Sequence, residues 1–278
     1  MIPFNFKYYR PDSLEGTIKL YKDLSSQGLK VLYYGGGTEF ISMARMNNVY
    51  ADAVIDYKNI PECNELGIED NSLIIGSAVT LTKINESGLF PLLGLTCSRI
   101  ADHTIQNKIS LGGNIAGTII YRETVLPLLV TDSEVEIAGK KGIRRVKLNK
   151  IFDKRVELKD DELIVRFFID KKFLKLPSAH VKRTKNEKID YPLITMVAME
   201  TKAGLRFAFS GLCDYPFRSI EIEKIINNES LLLADRLSEI SNYLKDEVMT
   251  DISGSKEYRK VLLKEMIKRV VEKGLKDD

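Results

Sequence analysis

Two short runs of glycine limit what this chain can fold into more than any other feature. The first, residues 35–37, directly follows an apolar run at 31–34, and the second is Gly112-Gly113. Glycine lets a backbone turn sharply and approach another group closely, so each run marks a place where side chains are excluded. The order of strand, glycine turn, helix (39–46) and strand (53–55) predicts a βαβ-like unit, with Thr38 capping its helix.

The composition narrows the function by exclusion. The 278 residues include 42 basic and 39 acidic side chains, and this balance is not that of a nucleic-acid-binding protein. The two histidines and three separated cysteines form neither HExxH nor CxxC, and the motifs GxSxG and GxxxxGK[ST] do not occur. The sequence therefore predicts no metal site in this chain, and it indicates no catalytic side chain.

The apolar segments are too short for a membrane protein. No run approaches the roughly 18 residues that a spanning helix needs, and the first ten residues lack the pattern of a secretion signal. We therefore expect a cytoplasmic protein with no membrane span.

The pattern of helices and strands changes after the segment 171–177, which we interpret as a boundary. Before it, apolar spacing and turn residues predict helices at 13–26, 39–46, 89–101 and 127–130, hairpins at 66–76 and 134–146, and a strand at 162–169. After it, they predict strands at 178–183, 193–202 and 205–211, followed by helices at 218–227, 229–245 and 256–273.

The first glycine run is suited to an anion. Its amide hydrogens, together with those of the following helix turn, converge on one point where a pyrophosphate would be favoured. The run does not match GxGxxG, because Phe40 stands where the third glycine belongs. An ordinary tight turn is the alternative reading of this run.

The second glycine run lies in the segment 110–117, which reads Ser-Leu-Gly-Gly-Asn-Ile-Ala-Gly. Its small residues also leave the backbone open to a ligand, and Asn114 offers both a donor and an acceptor. A bulged strand or a turn is the alternative reading of this segment.

Taken together, the two runs and their flanks resemble one family. Residues 107–115 (Asn-Lys-Ile-Ser-Leu-Gly-Gly-Asn-Ile) are similar to the "N-x-x-[ST]-[VIL]-G-G-N-I" segment of the FAD-binding (medium) subunits of the xanthine dehydrogenase and carbon monoxide dehydrogenase, or molybdenum hydroxylase, family. Residues 161–164 (Asp-Glu-Leu-Ile) and 180–183 (His-Val-Lys-Arg) resemble two further strands of that family, in the same order along the chain.

The resemblance implies an α+β fold in two parts. Residues 1–170 would form a two-lobed vanillyl-alcohol-oxidase-type (PCMH-type) FAD-binding domain, with lobe one at about 1–58 and lobe two at about 59–170. Residues 178–278 would form a smaller C-terminal α+β domain, a three-stranded antiparallel sheet with helices.

The resemblance also implies where FAD would lie. Segment 35–40 would hold the pyrophosphate from one side and segment 110–117 from the other. Lys182 would lie near the flavin and favour negative charge on its reduced ring, with a lysine on the strand surface as the alternative. The cofactor-binding residues would be Tyr34, Gly35, Gly36, Gly37, Thr38, Glu39, Phe40, Ser110, Gly112, Gly113, Asn114, Gly117, Glu123, Ile164 and Lys182.

The segment after the second run departs from the family. Many relatives carry small polar residues there and then an aspartate, whereas this chain has Ile119, Ile120 and, at the aspartate's offset, Glu123. Glu123 would accept a hydrogen bond from the ribose or adenine end. Arg122 would instead face the pyrophosphate or a partner, and the two isoleucines cannot replace hydroxyl contacts.

The function implied by the resemblance is electron transfer within a complex. FAD would receive electrons from a [2Fe-2S] iron–sulfur subunit and pass them to NAD⁺, while the molybdenum cofactor would sit on another chain and act on a purine or N-heterocycle. One alternative is a stand-alone flavin-dependent NAD(P)H reductase or oxidase of the same fold. Another is a scaffold that has lost FAD.

Overall fold

Residues 1–58, which we call lobe one, form a small parallel sheet. The computed structural model describes residues 1–186, 190–244 and 246–275. The sheet order is β1-β3-β2, and β2 runs parallel to β3 across the connecting helix α2, so the predicted βαβ-like unit is confirmed. The elements are β1 (Lys7–Tyr9), α1 (Leu14–Ser26), β2 (Val31–Tyr34), α2 (Thr38–Arg45) and β3 (Ala53–Asp56).

The two helices of lobe one begin differently. The Ser13 side chain caps α1 by accepting a hydrogen bond from the Gly16 amide. In α2 the N-cap is Gly37, which has a left-handed backbone with φ 71°, and no side chain caps the helix. The prediction that Thr38 is the cap was therefore wrong by one residue. The turn needs the left-handed conformation that glycine adopts most easily, and the helix starts directly after it.

Residues 59–170, which we call lobe two, are built on a five-stranded antiparallel sheet of order β4-β5-β10-β6-β7. Both predicted hairpins and the predicted last strand are present, although β10 has a register shift between Ile164 and Arg166. The strands are β4 (Leu66–Glu69), β5 (Ser72–Gly76), β6 (Glu134–Gly139), β7 (Gly142–Lys147) and β10 (Leu163–Asp170).

The remaining elements of lobe two are short. A 3-10 turn precedes the sheet at Glu62–Asn64, and a second one follows it at Lys171–Phe173. The other elements are α3 (Leu81–Ser87), α4 (Pro91–Ser98), α5 (His103–Gln106), α6 (Leu111–Ala116), α7 (Val125–Val130), α8 (Leu148–Ile151), β8 (Phe152–Asp153) and β9 (Arg155–Val156).

Two expectations for lobe two need correction. The helix predicted at 89–101 is only α4, because Pro91 occupies its first turn and the chain leaves it at Arg99 before a left-handed Ala101 (φ 54°). The second glycine run lies inside α6 and not in a loop, because the Ser110 side chain caps that helix by accepting from the Gly113 amide.

Residues 178–275, which we call the C-terminal region, contain an antiparallel sheet of order β11-β12-β13-β14. The sheet has four strands and not the predicted three. The two-residue β14 replaces the start of the helix predicted at 218–227, since Ser219 is the N-cap of α9. The elements are β11 (Ser178–Thr184), β12 (Pro192–Thr201), β13 (Gly204–Ser210), β14 (Phe217–Arg218), α9 (Ile220–Ile226), α10 (Leu233–Tyr243) and α11 (Lys256–Lys273).

The last helices follow the predicted pattern closely. Helix α11 has the predicted bounds, with its N-cap at Ser255, whereas α10 is shorter than the predicted 229–245. Residue 245 and residues 276–278, to which the predicted helix and the predicted domain extend, lie outside the described residues.

Helix α7 joins lobe two to the C-terminal region. All six of its residues are buried, as expected for a short helix that is apolar on every side. It packs against α4 on one side and against β12, β13 and β14 on the other. Within the part of the chain that the structure describes, no helix is both long and apolar enough to cross a membrane.

Candidate functional site

The first glycine segment presents a row of free backbone donors. Strand β2 ends at Tyr34, residues 35–37 turn, and α2 begins at Thr38. Among the described residues, the five consecutive amides of residues 36–40 have no acceptor. The first amides of a helix have no partner within it, and the helix dipole adds partial positive charge there. This segment can therefore bind an anion with several hydrogen bonds.

The first glycine segment also lies directly against the second. A Cβ atom on Gly36 would overlap the carbonyl oxygen of Lys108, two residues before the Ser110 cap. A Cβ atom on Gly35 would lie 2.5 Å from the Tyr57 hydroxyl and 2.8 Å from the Ser110 Oγ. The structure thus brings the two predicted segments together, and glycine at 35 and 36 is needed for that contact itself.

A charge cluster around the buried Asp56 holds the first segment in place. Lys58 Nζ donates to the Gly35 carbonyl (2.7 Å) and to Asp56 Oδ2 (2.7 Å), and it lies 4.7 Å from the centre of the Tyr34 ring. The Tyr8 hydroxyl also bonds Asp56. Burial opposes ionisation of Asp56, but the hydrogen bonds from Lys58 and Tyr8 outweigh it, so the pKa of this carboxyl lies below its usual value. Asp56 therefore stays charged and fixes Lys58 under the turn.

The second glycine segment offers no free amides at its start. The amides of residues 111–114 donate to the Val79 carbonyl, the Ser77 carbonyl, the Ser110 Oγ and the Ser110 carbonyl, in that order. A Cβ atom on Gly112 would lie 2.5 Å from Ser77 Cβ, so the protein requires glycine there. Asn114 Oδ1 accepts from Thr124 Oγ1 at 2.6 Å.

Gly113 is different, because it lies at the surface. Among the described residues, apart from the backbone of α6 itself, an added Cβ atom would meet one group, the Ser110 Oγ at 2.8 Å, and this hydroxyl would have to shift. Gly113 and Gly35 of the first segment have the Ser110 hydroxyl as a common neighbour, since an added Cβ atom on either glycine would lie 2.8 Å from it. A ligand in contact with Gly113 would approach the backbone directly.

Glu39 links the two segments. Its carboxylate accepts hydrogen bonds from the Thr118 amide (2.8 Å), the Thr118 hydroxyl (2.8 Å) and the Ile119 amide (3.2 Å). A Cβ atom on Gly117 would lie 2.9 Å from Glu39 Oε2. The predicted site residues Glu39 and Gly117 are therefore neighbours, and Ile119 contributes through its backbone, where its apolar side chain does not matter.

Glu123 and Lys182 are neighbours of each other, at the junction with the C-terminal region. Lys182 Nζ donates to the Arg99 carbonyl (2.8 Å) and to Glu123 Oε2 (3.1 Å), while the Thr195 hydroxyl donates to Glu123 Oε1 (2.5 Å). The Lys182 side chain is only 6% exposed, so the alternative of a surface lysine is wrong. Both Glu123 oxygens therefore have partners within the protein, and the hydrogen bond from Glu123 to the ribose or adenine end stays a prediction.

Glu123 and Ile164, two of the predicted site residues, are both buried. Burial raises the pKa of Glu123, against the opposing effects of Lys182 and Thr195. Ile164 is 3% exposed and packs in the main core of lobe two, in a different cluster from Tyr57, which contacts Gly35. The cluster that holds Ile164 also contains Leu111 and Ile115 of segment 110–117, so the structure places Ile164 in the same core as the second glycine segment, buried from solvent.

Sequence reasoning missed several residues that shape the site. Tyr57 and Lys58 directly follow β3, beside the end of β2, so the carboxyl ends of these two parallel strands were the signal that could have found them. Thr118 and Ser77 carry no such local signal, since their roles depend on contacts with distant parts of the chain.

The described residues hold no group of three or more His, Cys, Asp or Glu side chains that could bind a metal ion, and the three cysteines are free thiols in the interior. A separate groove of about 790 Å³ lies between lobe two and the C-terminal region, and neither glycine segment lines it.

Comparisons with known proteins agree over nearly the whole chain. The family model described as the FAD binding domain in molybdopterin dehydrogenase matches residues 4–171. The chain is 30% identical to the xanthine dehydrogenase FAD-binding subunit of Escherichia coli O157:H7 over 288 residues, covering 98% of this chain and 97% of that protein.

Solved structures establish the likeness of the fold. A chain of quinoline 2-oxidoreductase from Pseudomonas putida 86 superposes with a TM-score of 0.84 at 20% identity, covering 98% of this chain and 97% of that one. A chain of reconstituted CO dehydrogenase from Oligotropha carboxidovorans gives the same TM-score and identity, covering 99% of each chain.

Proposed function

Because the chain belongs to the family that carries the FAD binding domain of molybdopterin dehydrogenases, we propose that it is the flavoprotein subunit of a xanthine-dehydrogenase-like molybdenum hydroxylase complex. In this complex, electrons pass from a [2Fe-2S] subunit through FAD to NAD⁺, and a further subunit carries the molybdenum cofactor. The observation that carries the proposal is the row of five free amides at 36–40, beside the exposed backbone of Gly113.

The residues present fit the diphosphate of FAD. A diphosphate carries negative charge and many acceptor oxygens, and a helix N-terminus with free amides is a common partner for it. Gly113 leaves room for a close approach, whereas a larger side chain there would occupy the same space. FAD would be held by the backbone of residues 35–40, flanked by Tyr34, and by residues of the second segment, namely Ser110, Gly112, Gly113, Asn114 and Gly117.

The chain's own residues would act by positioning. Glu39 holds segment 117–119 against the start of α2, and Lys58 holds the Gly35 carbonyl, so both sides of the site are fixed before a ligand arrives. Such preorganisation reduces the ordering cost of binding. When bound, FAD supplies the exchange between single-electron and hydride chemistry.

Lys182 is proposed to lie near the flavin, as the resemblance implies. Its ammonium group is fixed by the Arg99 carbonyl and by Glu123, at the junction of lobe two with the C-terminal region. A cation fixed in a partly dry site favours negative charge nearby, although the Glu123 carboxylate offsets part of that field.

Purification from the cells that make the protein tests the subunit assignment. A tag on this chain should recover two further chains, with iron, molybdenum and FAD in constant ratio through gel filtration, and the complex should reduce NAD⁺. A chain that always purifies alone and consumes NAD(P)H with a small substrate would overturn the assignment in favour of the stand-alone reductase. FAD bound in a complex that does not reduce NAD⁺ would overturn only the choice of acceptor.

A further inference from the structure

Arg122 is a buried cation beside the site. Its backbone has an unfavourable conformation, which the surrounding structure must stabilise. The residue is 2% exposed, and its backbone has φ 33°, which is unusual for a residue other than glycine. Its Nη1 donates to the Gly117 carbonyl (3.1 Å), and its Nη2 donates to the Lys154 carbonyl (2.6 Å). Its Nε is buried and has no acceptor among the described residues.

The charge of Arg122 is not neutralised by a contact. Both of its hydrogen-bond partners are neutral carbonyls, and among the described residues no carboxylate forms an ion pair with it. Burial, and then the positive charge of Arg155, lower the pKa of Arg122, but a guanidinium stays protonated in proteins. The carboxylates of Glu39 and Asp214 act in the opposite direction and raise the pKa of Arg122, so they offset part of the cost of burying its charge. A further anion nearby would reduce the remaining cost.

The position of Arg122 ties it to the proposed cofactor site. It binds the carbonyl of Gly117, and Glu39 binds the amides of the next two residues, 118 and 119. Segment 117–119 is therefore held from one side by Arg122 and from the other by the first turn of α2. The hairpin of β8 and β9 is fixed to the same guanidinium through Lys154.

We propose that Arg122 is a positioning residue for bound FAD, which fixes segment 117–119 and supplies a positive charge, held by two carbonyls and not by an ion pair, to the diphosphate. This inference rests on the proposed function. It also explains what residues 119–123, which depart from the family pattern, contribute to the site. The hydroxyl contacts that the isoleucines cannot make are replaced by a charge and by a rigid backbone.

The test compares two substitutions by FAD titration of the purified chain at several salt concentrations. Arg122→Gln removes the charge and should weaken FAD binding by about tenfold to a hundredfold, weaken competition by ADP in parallel, and flatten the salt dependence. Arg122→Lys keeps the charge but cannot bridge both carbonyls. It should weaken binding less and keep the salt dependence of the wild type.

Arg236 provides a matched control. Its Nη1 donates to the Ile226 carbonyl (2.6 Å), and its Nε is also buried with no acceptor in the described part of the chain, but it lies on α10 in the C-terminal region. Arg236→Gln should bind FAD and ADP as the wild type does.

Three outcomes would count against the inference or its premise. Wild-type affinity and salt dependence in Arg122→Gln would overturn it. Should Arg122→Gln fail to fold, Arg122→Lys decides, and either unchanged affinity or a lost salt dependence in that variant would overturn it. A wild-type chain that binds no FAD would instead overturn the proposed function.

Discussion

Glu39 and Thr118 are joined by two hydrogen bonds of 2.8 Å, although Thr118 lies 79 residues further along the chain. This contact links the first turn of α2 in lobe one to the end of α6 in lobe two. The lobes of the proposed FAD site are therefore connected at the place where the two glycine segments meet. A rigid connection there keeps the free amides of residues 36–40 next to Gly113.

We predict that Glu39→Gln weakens FAD binding by about tenfold. The substitution loses charge-assisted hydrogen bonds, which contribute about 1.5–3 kcal/mol each, and it relieves a solvent-screened repulsion from phosphate of about 1 kcal/mol or less. Losing the hydrogen bonds that position segment 117–119 should therefore weaken FAD binding more than removing the repulsion strengthens it. FAD titration followed by flavin fluorescence measures the change.

Glu15→Gln is the control for this prediction, because Glu15 also lies in the first turn of a helix but forms no hydrogen bond to lobe two among the described residues. It should leave FAD affinity unchanged. Tighter FAD binding by Glu39→Gln would show that repulsion dominates, and the positioning role of Glu39 would be refuted.

We predict that Gly113 and Gly36 respond differently to substitution. Gly113→Ala should change the melting temperature little while FAD binding falls, since the preference of a helix for alanine over glycine, about 0.5–1 kcal/mol, offsets the displacement of Ser110 Oγ, which the new Cβ atom would meet at 2.8 Å. Gly36→Ala should lower both, because the new methyl group overlaps the Lys108 carbonyl. Thermal melts and FAD titration of each variant separate the two cases.

Gly67→Ala is the matched control, since no atom of the described residues lies within 4 Å of an added Cβ atom at that position in β4. If Gly113→Ala binds FAD as tightly as Gly67→Ala does, the placement of the cofactor against Gly113 is wrong.

The first segment could be predicted from the sequence, because its signals are local. An apolar run, three glycines and a helical pattern are contiguous at 31–46, and each feature depends only on its neighbours. Helix α11 was predicted with its observed bounds for the same reason. The helical conformation of Gly112 and Gly113 was not predicted. The Ser110 cap places both glycines inside a helix, although glycine has a low intrinsic helix propensity.

The partners of Glu123 could not be predicted from the sequence in this way. Its two side-chain partners, Lys182 and Thr195, lie 59 and 72 residues away and belong to another sheet. The position of Glu123 relative to the glycine motif indicated a contact with the cofactor. In the folded chain its carboxylate accepts hydrogen bonds from the buried Lys182 ammonium group and the Thr195 hydroxyl. The Arg122 contacts were missed for the same reason.

We predict that Lys182→Met destabilises the protein by about 3–5 kcal/mol, because it leaves Glu123 buried without its cation. The raised pKa of Glu123 should rise further. A group whose pKa is higher in the folded protein than in the unfolded chain loses its stabilising contribution as pH rises. The decrease in the free energy of unfolding caused by Lys182→Met should therefore be greater at pH 8 than at pH 5, as measured by urea unfolding.

The control for this prediction is Lys224→Met, at an exposed lysine paired with Glu221 on α9, which should change stability by less than about 1 kcal/mol at both pH values. A pH-independent effect of Lys182→Met would contradict the coupling between Lys182 and Glu123.

We predict that the buried His180 makes the protein less stable below neutral pH. Burial and then the charges of Arg99 and Lys182 lower the pKa of His180 from its ordinary 6.5 to about 3. The unfolded chain therefore binds a proton that the folded protein does not, and stability falls by about 1.4 kcal/mol per pH unit below pH 6.5. Urea unfolding at pH 6.5 to 5 measures this slope.

His180→Gln should remove that part of the slope. His103→Gln should retain it, because His103 is exposed at the start of α5. Equal slopes for the wild type and His180→Gln would mean that His180 is not the group that titrates on unfolding.

The most direct test of the central claim is a titration of the purified chain with FAD, followed by its visible spectrum and by calorimetry, in the wild type and in Gly113→Val. The account predicts one FAD per wild-type chain, competition by ADP, and loss of binding in a Gly113→Val variant that keeps the circular dichroism spectrum of the wild type. Equal FAD binding by both proteins, or an ADP-insensitive complex, would contradict a cofactor held by its diphosphate between the two glycine segments.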